Sequence, residues 1–412
     1  MIGTMKNVPA LRFPEFTDEW YSSNLGNIAE FSKGKGISKS DITKDGEIEC
    51  IRYGELYTKY GETINHISSK TNLSLRELVL SEPNDVIIPA SGETQLDIAT
   101  ASCVLKSGIA LGGDLNIIRS KVNGVFLSYY LNNKKKLEIA SLAQGVSVVH
   151  LYSSQLKTLN LNLPEDLEQQ KIASFLTAVD NKIQQLSKRK SLLEQYKKGL
   201  MQQIFSQQIR FKPDRLSDGD DQGNEYPDWE VKTLRDVGEI VGGGTPETYI
   251  EKYWGGTIQW FTPTELKKKY VLQSTRQITK DGLANSSAKL LPTGAILLSS
   301  RATVGDVSIA LGECCTNQGF QSIIANDHNV NEFIYYWLLI NKHLLLKKAS
   351  GSTFLEINKT EISKLKIALP NYSEQTKIAN FLSAIDDKIN LVSRQLQQSQ
   401  QYKKGLLQQM FV

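Results

Sequence analysis

The chain has 412 residues, 40% hydrophobic and 22% charged, with 48 Lys and Arg against 44 Asp and Glu. This is ordinary usage for folded proteins, so disorder over most of the length is excluded, and the length predicts two or three domains. A formal charge of +4 excludes a polycationic surface but leaves room for a local basic groove.

Taken in chain order, the first buried-strand runs are Asp85–Pro89 and Leu115–Ile118, bounded by breakers. Val125–Leu137 is apolar and helix-like. Leu156–Leu163 alternates and predicts a strand running into Pro164. From Glu165 to Phe205 there is no Pro, and no Gly before Gly199. Ile172, Leu176, Val179, Ile183, Leu186, Leu193, Leu200 and Ile204 fall mostly at steps of three and four. That spacing makes one apolar stripe on a helix about 60 Å long. Glu165 and Asp166 suit its N-terminus. Ser206–Tyr226 is a polar, turn-rich connector.

The second half repeats the order. Gly294–Leu298 and Phe320–Ile324 read as strands, Glu332–Leu346 as helix-like, and Ile362–Leu369 as an alternating strand. A second long helix follows, with its stripe at Ile378, Leu382, Ile385, Ile389, Val392 and Leu396. The stripe turns polar through Gln397–Gln401 and recovers at Tyr402, Leu406 and Met410.

The resemblance between halves is close where the helices are. Leu163-Pro164, Glu168-Gln169, Lys171-Ile172-Ala173, Phe175-Leu176 and Asp180 recur as Leu369-Pro370, Glu374-Gln375, Lys377-Ile378-Ala379, Phe381-Leu382 and Asp386 at one constant offset, 206 residues. Tyr196–Leu200 recurs as Tyr402–Leu406, Gly145 as Gly351, and Tyr129-Tyr130 as Tyr335-Tyr336. About half the positions from Leu163 to Phe205 are identical to their partners. Each unit is too long for a solenoid repeat. It is a duplicated α+β domain plus helix, with diverged globular parts on a common helical frame. The expected boundaries are 1–164 (first domain), 165–206 (first long helix), 207–228 (linker), 229–370 (second domain) and 371–412 (second long helix). The stripes predict that the two helices pair as a coiled coil, parallel or antiparallel. Partner-facing candidates on them are Ile172, Phe175, Leu176, Ile183, Tyr196 and Leu200, with Ile378, Phe381, Leu382, Ile389, Tyr402 and Leu406 in the second copy.

No catalytic constellation stands out. Gly242–Pro246 lacks the order of a phosphate-cradling loop, and Gly34-Lys35-Gly36 occupies the matching place in the first half. Both are read as plain turns or as loops whose backbone approaches something closely. Ser91-Gly92 and Ser299–Arg301 make no nucleophile elbow. His66, His150, His328 and His343 are scattered. Cys50, Cys103, Cys314 and Cys315 show no CxxC spacing, so neither a disulfide framework nor a structural zinc site is expected. No run reaches the length of a membrane span, and the N-terminus lacks signal-peptide order; Met5 is a second candidate start. The expected setting is cytoplasmic and reducing, with no membrane, cofactor or metal of the chain's own.

Basic and aromatic residues interleave in both variable parts. The first has Lys33, Lys35, Arg52, Tyr53 and Lys59; the second has Lys267, Lys269, Arg276 and Arg301. This mix suits phosphate contact together with base reading.

At these residues the chain resembles the DNA-specificity (S) subunits of type I restriction–modification enzymes. The likeness is carried by Leu11–Phe16 with Trp20, its echo at Ile209–Phe211 and Tyr226–Trp229, Ser300–Gly305, Thr316–Phe320 and Ser350–Phe354. Above all it is carried by the two Leu-Pro…Glu-Gln…Lys-Ile-Ala…Phe-Leu…Asp helices. The resemblance implies two target-recognition domains, each reading half of a bipartite site on double-stranded DNA. It implies antiparallel helices with pseudo-twofold symmetry that set the gap and dock two methyltransferase (M) subunits. Restriction (R) subunits would join, with S-adenosylmethionine used by M and ATP/Mg by R. The chain itself would be non-catalytic. Ser91, Gln95, Gly243, Thr245, Ser300, Thr303, Asn317, Gln318, Ser352 and Thr353 join the basic and aromatic residues as candidate DNA contacts. The alternative reading is a non-catalytic coiled-coil scaffold that binds two protein partners.

Overall fold

A computed structural model of the chain describes residues 7–213, 225–351 and 355–412. Met5, most of the turn-rich connector, and the candidate contacts Ser352 and Thr353 lie outside the described residues. The chain forms two compact units, Met1–Lys188 with Ser393–Val412, and Arg189–Val392. Each therefore contains a globular part and segments of both long helices, Asp166–Phe205 and Tyr372–Gln409.

In the first unit a five-stranded sheet has the order Ala29–Lys33, Leu115–Ser120, Asp85–Pro89, Ser102–Val104, Thr63–Ile64. One face, through Val86, Ile88 and Ile118, packs with Phe126 and with Ile172 and Leu176 of the first long helix. The other face, through Ile87, Leu115 and Ile117, packs on Ile51 and Leu111 of a second, smaller sheet. The second unit repeats the order as Gly238–Gly242, Gln321–Ala325, Ile296–Leu298, Val307–Ala310, Tyr270–Val271. Its smaller sheet is built on Trp254–Phe261, between Arg276–Ile278 and Cys314–Thr316. Strand order thus persists where sequence identity has largely gone.

Two predicted elements change shape. The alternating run Leu156–Leu163 is a helical turn, Ser153–Leu156, followed by a strand at Asn160–Leu163; the second unit has Lys359–Ser363 and Lys366–Leu369. Leu156 to Leu159 is a helical step of three, and true alternation starts only at Leu159. The apolar stretch Val125–Leu137 is two helices, Gly124–Asn133 and Lys136–Leu142. The Tyr130 carbonyl accepts both the Lys134 and Lys135 N–H groups, and the Asn133 amide donates to the Tyr129 carbonyl, which closes the first helix.

The repeated Glu-Gln dipeptides fix each globular part to its helix. Gln169 donates to the Pro164 carbonyl at 2.8 Å and accepts the Asn123 N–H at 2.9 Å. Gln375 does the same with Pro370 and Val330, at 2.9 Å each. Glu168, only 2% exposed, receives Arg12 in a two-pronged contact at 2.8 and 2.7 Å. Glu374, with no exposed side-chain surface, receives Arg210 at 2.8 Å and the Trp229 indole N–H at 3.1 Å. Phe13 meets Phe175 edge-on, and Phe211 meets Phe381 in the same way. Arg210 and Phe211, part of the expected linker, are thus anchors of the second unit.

The helix segments pair antiparallel within each unit. In the first, Lys403 donates to Asp180 and to Glu62, while Leu406, Met410 and Phe411 join the core with Ile172 and Leu176. In the second, Lys197 donates to Asp386 at 2.5 Å, while Met201 and Ile204 join Ile378 and Leu382. Numbers rise along one segment as they fall along the other. Five of the partner-facing candidates, Ile172, Leu176, Ile378, Leu382 and Leu406, are therefore buried in their own unit's core. Phe175, Ile183, Leu200, Phe381 and Ile389 are half-buried. Tyr196 and Tyr402, equivalent in the repeat, are each 56% exposed.

Candidate nucleic-acid interface

Antiparallel pairing brings three loops to one end of each main sheet. In the first unit Leu115 pairs with Pro89, and Asn116 with Lys33. One strand therefore begins where two others end. The Gly34–Ile37 segment, the Ser91–Gly92 strand and the Gly112–Asp114 turn all lie at that end. Backbone bonds tie them together, from Lys35 N–H to the Leu111 carbonyl and from Gly113 N–H to the Gly36 carbonyl, both 2.9 Å. Gly112 N–H donates to the Ile51 carbonyl, which places Arg52 and Tyr53 at the same edge. Lys33, Lys35, Arg52, Tyr53, Ser91 and Gln95 thus come together.

Lys59 is committed elsewhere. Its ammonium pairs with the buried Glu55 carboxylate at 2.7 Å. Burial works to raise the Glu55 carboxyl, but hydrogen bonds from Lys59, Ser69 and the Arg52 N–H outweigh it and hold the group below the usual range.

The second unit builds the same end from Gly243–Thr245, Ser299–Gly305 and Asn317–Gly319. Thr245 donates to the Gln318 side chain at 2.5 Å, and Ser300 N–H to the Gly319 carbonyl at 2.8 Å. Arg301 lies 3.6 Å from Glu356, and Thr303 shares a 3.0 Å hydroxyl contact with Ser299. The Ser300 hydroxyl is buried without a partner. Arg276 is exposed and stacks 3.5 Å above Trp254; the neighbouring Trp260 donates its indole N–H to the Gly244 carbonyl. Lys267 is exposed. Lys269 is turned inward, donating to Tyr336 at 3.0 Å and to Ser383 of the long helix at 2.6 Å, so it fastens the domain rather than facing outward.

The Gly-rich segments do need close backbone approach, but the approach is to the chain itself. A Cβ on Gly34 would lie 2.0 Å from the Gly112 carbonyl oxygen, and one on Gly243 would lie 2.0 Å from that of Asn317. Gly243→Ala should therefore cost about 1–3 kcal/mol of second-unit stability through a forced backbone shift. A denaturant midpoint unchanged from the parent would refute this crossing.

Sequence reasoning set His150 aside, yet it sits at this end. His150 pairs with Ser91 as Glu356 pairs with Arg301, and His150 stacks beside Tyr152. Gly145 at φ +126° and Gly351 at φ +130° share a positive-φ backbone at equivalent places. The repeat match of Gly145 with Gly351 was the available signal. Val146, fully exposed, had none.

Among the described residues no group of His, Cys, Asp or Glu could hold a metal ion, and no helix is long and apolar enough to cross a membrane. Two copies of one α+β frame, each seated on helix segments and each gathering diverged loops at one sheet end, define a duplicated recognition protein. The chain belongs to the family of the type I restriction modification DNA specificity domain, which it matches over residues 17–195 and again over 226–400.

Its relatives bear this out. The type I restriction enzyme MjaIX specificity subunit of Methanocaldococcus jannaschii is 40% identical over 180 residues, a match that spans 42% of this chain and 42% of that one. The putative MjaX specificity subunit of the same organism is 28% identical over 391 residues, 90% of this chain and 83% of its own length. Among solved structures, the type I restriction-modification S subunit from M. genitalium shares the fold at a TM-score of 0.65 and 15% identity, covering 98% of this chain and 99% of that one.

Proposed function

We propose that the chain is the non-catalytic specificity subunit of a type I restriction–modification complex, with each unit reading one half of a split site on double-stranded DNA. One observation carries this reading: the same sheet end recurs in both units with the same backbone and different side chains. That is what two readers of different half-sites require. Exposed Lys33 and Lys35 at one end, and Arg276 and Arg301 at the other, suit phosphate and base-edge contact. The long helices set the gap between half-sites and dock two M subunits, with exposed Tyr196 and Tyr402 among the docking residues. R subunits complete the complex. S-adenosylmethionine and ATP/Mg belong to the M and R partners.

The test is long-read mapping of methylated bases in cells that co-express the chain with its M subunit. A split motif with a fixed unspecified gap is expected, and replacing residues 17–162 by another such domain should change one half only. Binding of the complex to a labelled duplex should weaken with salt. No DNA binding by an intact complex would favour a protein scaffold instead.

A further inference from the structure

The duplication lets each unit serve as a control for the other at the candidate interface. The Ile51 carbonyl accepts the Gly112 N–H at 2.9 Å, and the Phe261 carbonyl accepts the Asn317 N–H at 3.1 Å. The next residue begins the same turn in both. Arg52 N–H donates to the Glu55 carboxylate at 2.9 Å, and Thr262 N–H to the Glu265 carboxylate at 2.7 Å. Arg52 and Thr262 therefore hold one position in the common frame. A second position is matched in the same way. Ala90 N–H donates to the Asp114 carbonyl, and Ser300 N–H to the Gly319 carbonyl, 2.8 Å each. Asp114 in the first unit thus stands where the second has Gly319.

The side chains at these positions differ together. Arg52 and Asp114 line one open cleft with Tyr53, Lys39 and Asp41, whose carboxylate is taken up by the Ser38 N–H and hydroxyl. Among the described residues neither Arg52 nor Asp114 forms an ion pair, with the other or with anything else. The Arg52 Nε is buried with no hydrogen-bond partner. In the second unit the Thr262 hydroxyl is satisfied by Glu265 at 2.7 Å, and Gly319 has no side chain.

A cleft built for phosphate alone would not carry a carboxylate. A guanidinium and a carboxylate that line one cleft without pairing suit the major-groove edge of a G·C pair. There Arg is a two-pronged donor to guanine O6 and N7, and a carboxylate accepts from cytosine N4. We propose that Arg52 and Asp114 read a G·C pair in the half-site served by the first unit, and that this pair of positions is a specificity switch of the duplicated frame. The proposal rests on the DNA-specificity reading above.

The experiment compares the parent complex with M against R52K, R52T and D114N, by methylation mapping and by duplex competition at several salt concentrations. R52K keeps the charge but loses the fork, and R52T installs what the second unit carries at the matching place. Each variant should lose discrimination at the same single G·C pair by about 5- to 150-fold. The other half-site and the salt dependence of binding should stay unchanged. An R52K complex with the parental motif would overturn the proposal, as would uniform weakening on all DNA with the motif preserved, which marks a phosphate contact. Relaxation at a different pair in D114N would overturn it too. Thermal unfolding of R52K and D114N checks that both fold. If the parent complex itself shows no sequence-specific binding, the DNA-specificity reading fails, and that is seen before any variant is made.

Discussion

Arg12→Ala should destabilise the first unit by about 3–5 kcal/mol, the usual cost of leaving a buried charge without its partner. Glu168 lies in the first turn of the long helix, and Arg12 meets both of its oxygens. Arg12 also donates to the Asp18 carbonyl at 2.6 Å, so one side chain ties the N-terminal segment to the helix. Among the described residues no second donor replaces it, and the Trp20 indole N–H is buried without a partner. The second unit solves the same problem differently. Glu374 receives both Arg210 and the Trp229 indole, so Arg210→Ala leaves one hydrogen bond in place. A hydrogen bond to a charged group contributes about 1.5–3 kcal/mol, so Arg210→Ala should be milder by roughly that amount. Denaturant unfolding of both variants checks the order. Equal losses would mean that the Trp229 bond contributes nothing, and a loss under about 1 kcal/mol for Arg12→Ala would mean that Glu168 tolerates isolation.

Those anchors show what was legible in the sequence and what was not. The Glu-Gln dipeptides were visible as a repeat, because identity at a fixed offset needs no geometry. Their role was hidden, since a Glu in a first helical turn reads equally well as a solvated dipole partner. Burial became evident only with Arg12 and Arg210, which lie 156 and 164 residues from their carboxylates. The main-sheet strands Asp85–Pro89 and Leu115–Ser120 were readable as apolar runs. The first unit's smaller sheet was not, because its strands of two to four residues, such as Ala110–Leu111 and Ile48–Ile51, carry too little alternation to register. Antiparallel helix pairing was left open by the stripes, which are alike in either direction; the Lys403–Asp180 and Lys197–Asp386 bonds fix it within each unit. At the candidate interface, choosing residues by type put forward Arg52 and Arg276. It also took in Lys59 and Lys269, because a lysine paired inward looks the same in sequence as one facing solvent.

Asp386→Ala should cost the second unit about 3–5 kcal/mol, with a steeper pH dependence than the parent. Asp386 accepts Lys197 on one oxygen and the Tyr336 hydroxyl on the other, at 2.5 Å each. Lys197 and Lys269 both lie against the Tyr336 ring, 4.9 and 4.7 Å from its centre. Without the carboxylate, two ammonium groups would share one half-buried site. Burial already lowers the Lys269 ammonium from its ordinary value, and Asp386 is the largest influence opposing that shift. Removing it should lower the group further. The unfolded chain would then bind more protons than the folded one at pH values below the ordinary lysine range. Stability of Asp386→Ala should consequently rise as the pH climbs toward the ordinary lysine value, more steeply than that of the parent. Asp386→Asn should be milder in size and alike in pH slope, since the amide can still accept the Tyr336 hydroxyl but carries no charge. The first unit offers the comparison. There Lys403 bonds to Glu62 as well as to Asp180, so Asp180→Ala leaves the ammonium with a carboxylate and should cost less. A flat pH profile for Asp386→Ala would mean that Lys269 gains water when the carboxylate is removed, and the site would then be open rather than sealed by the helix.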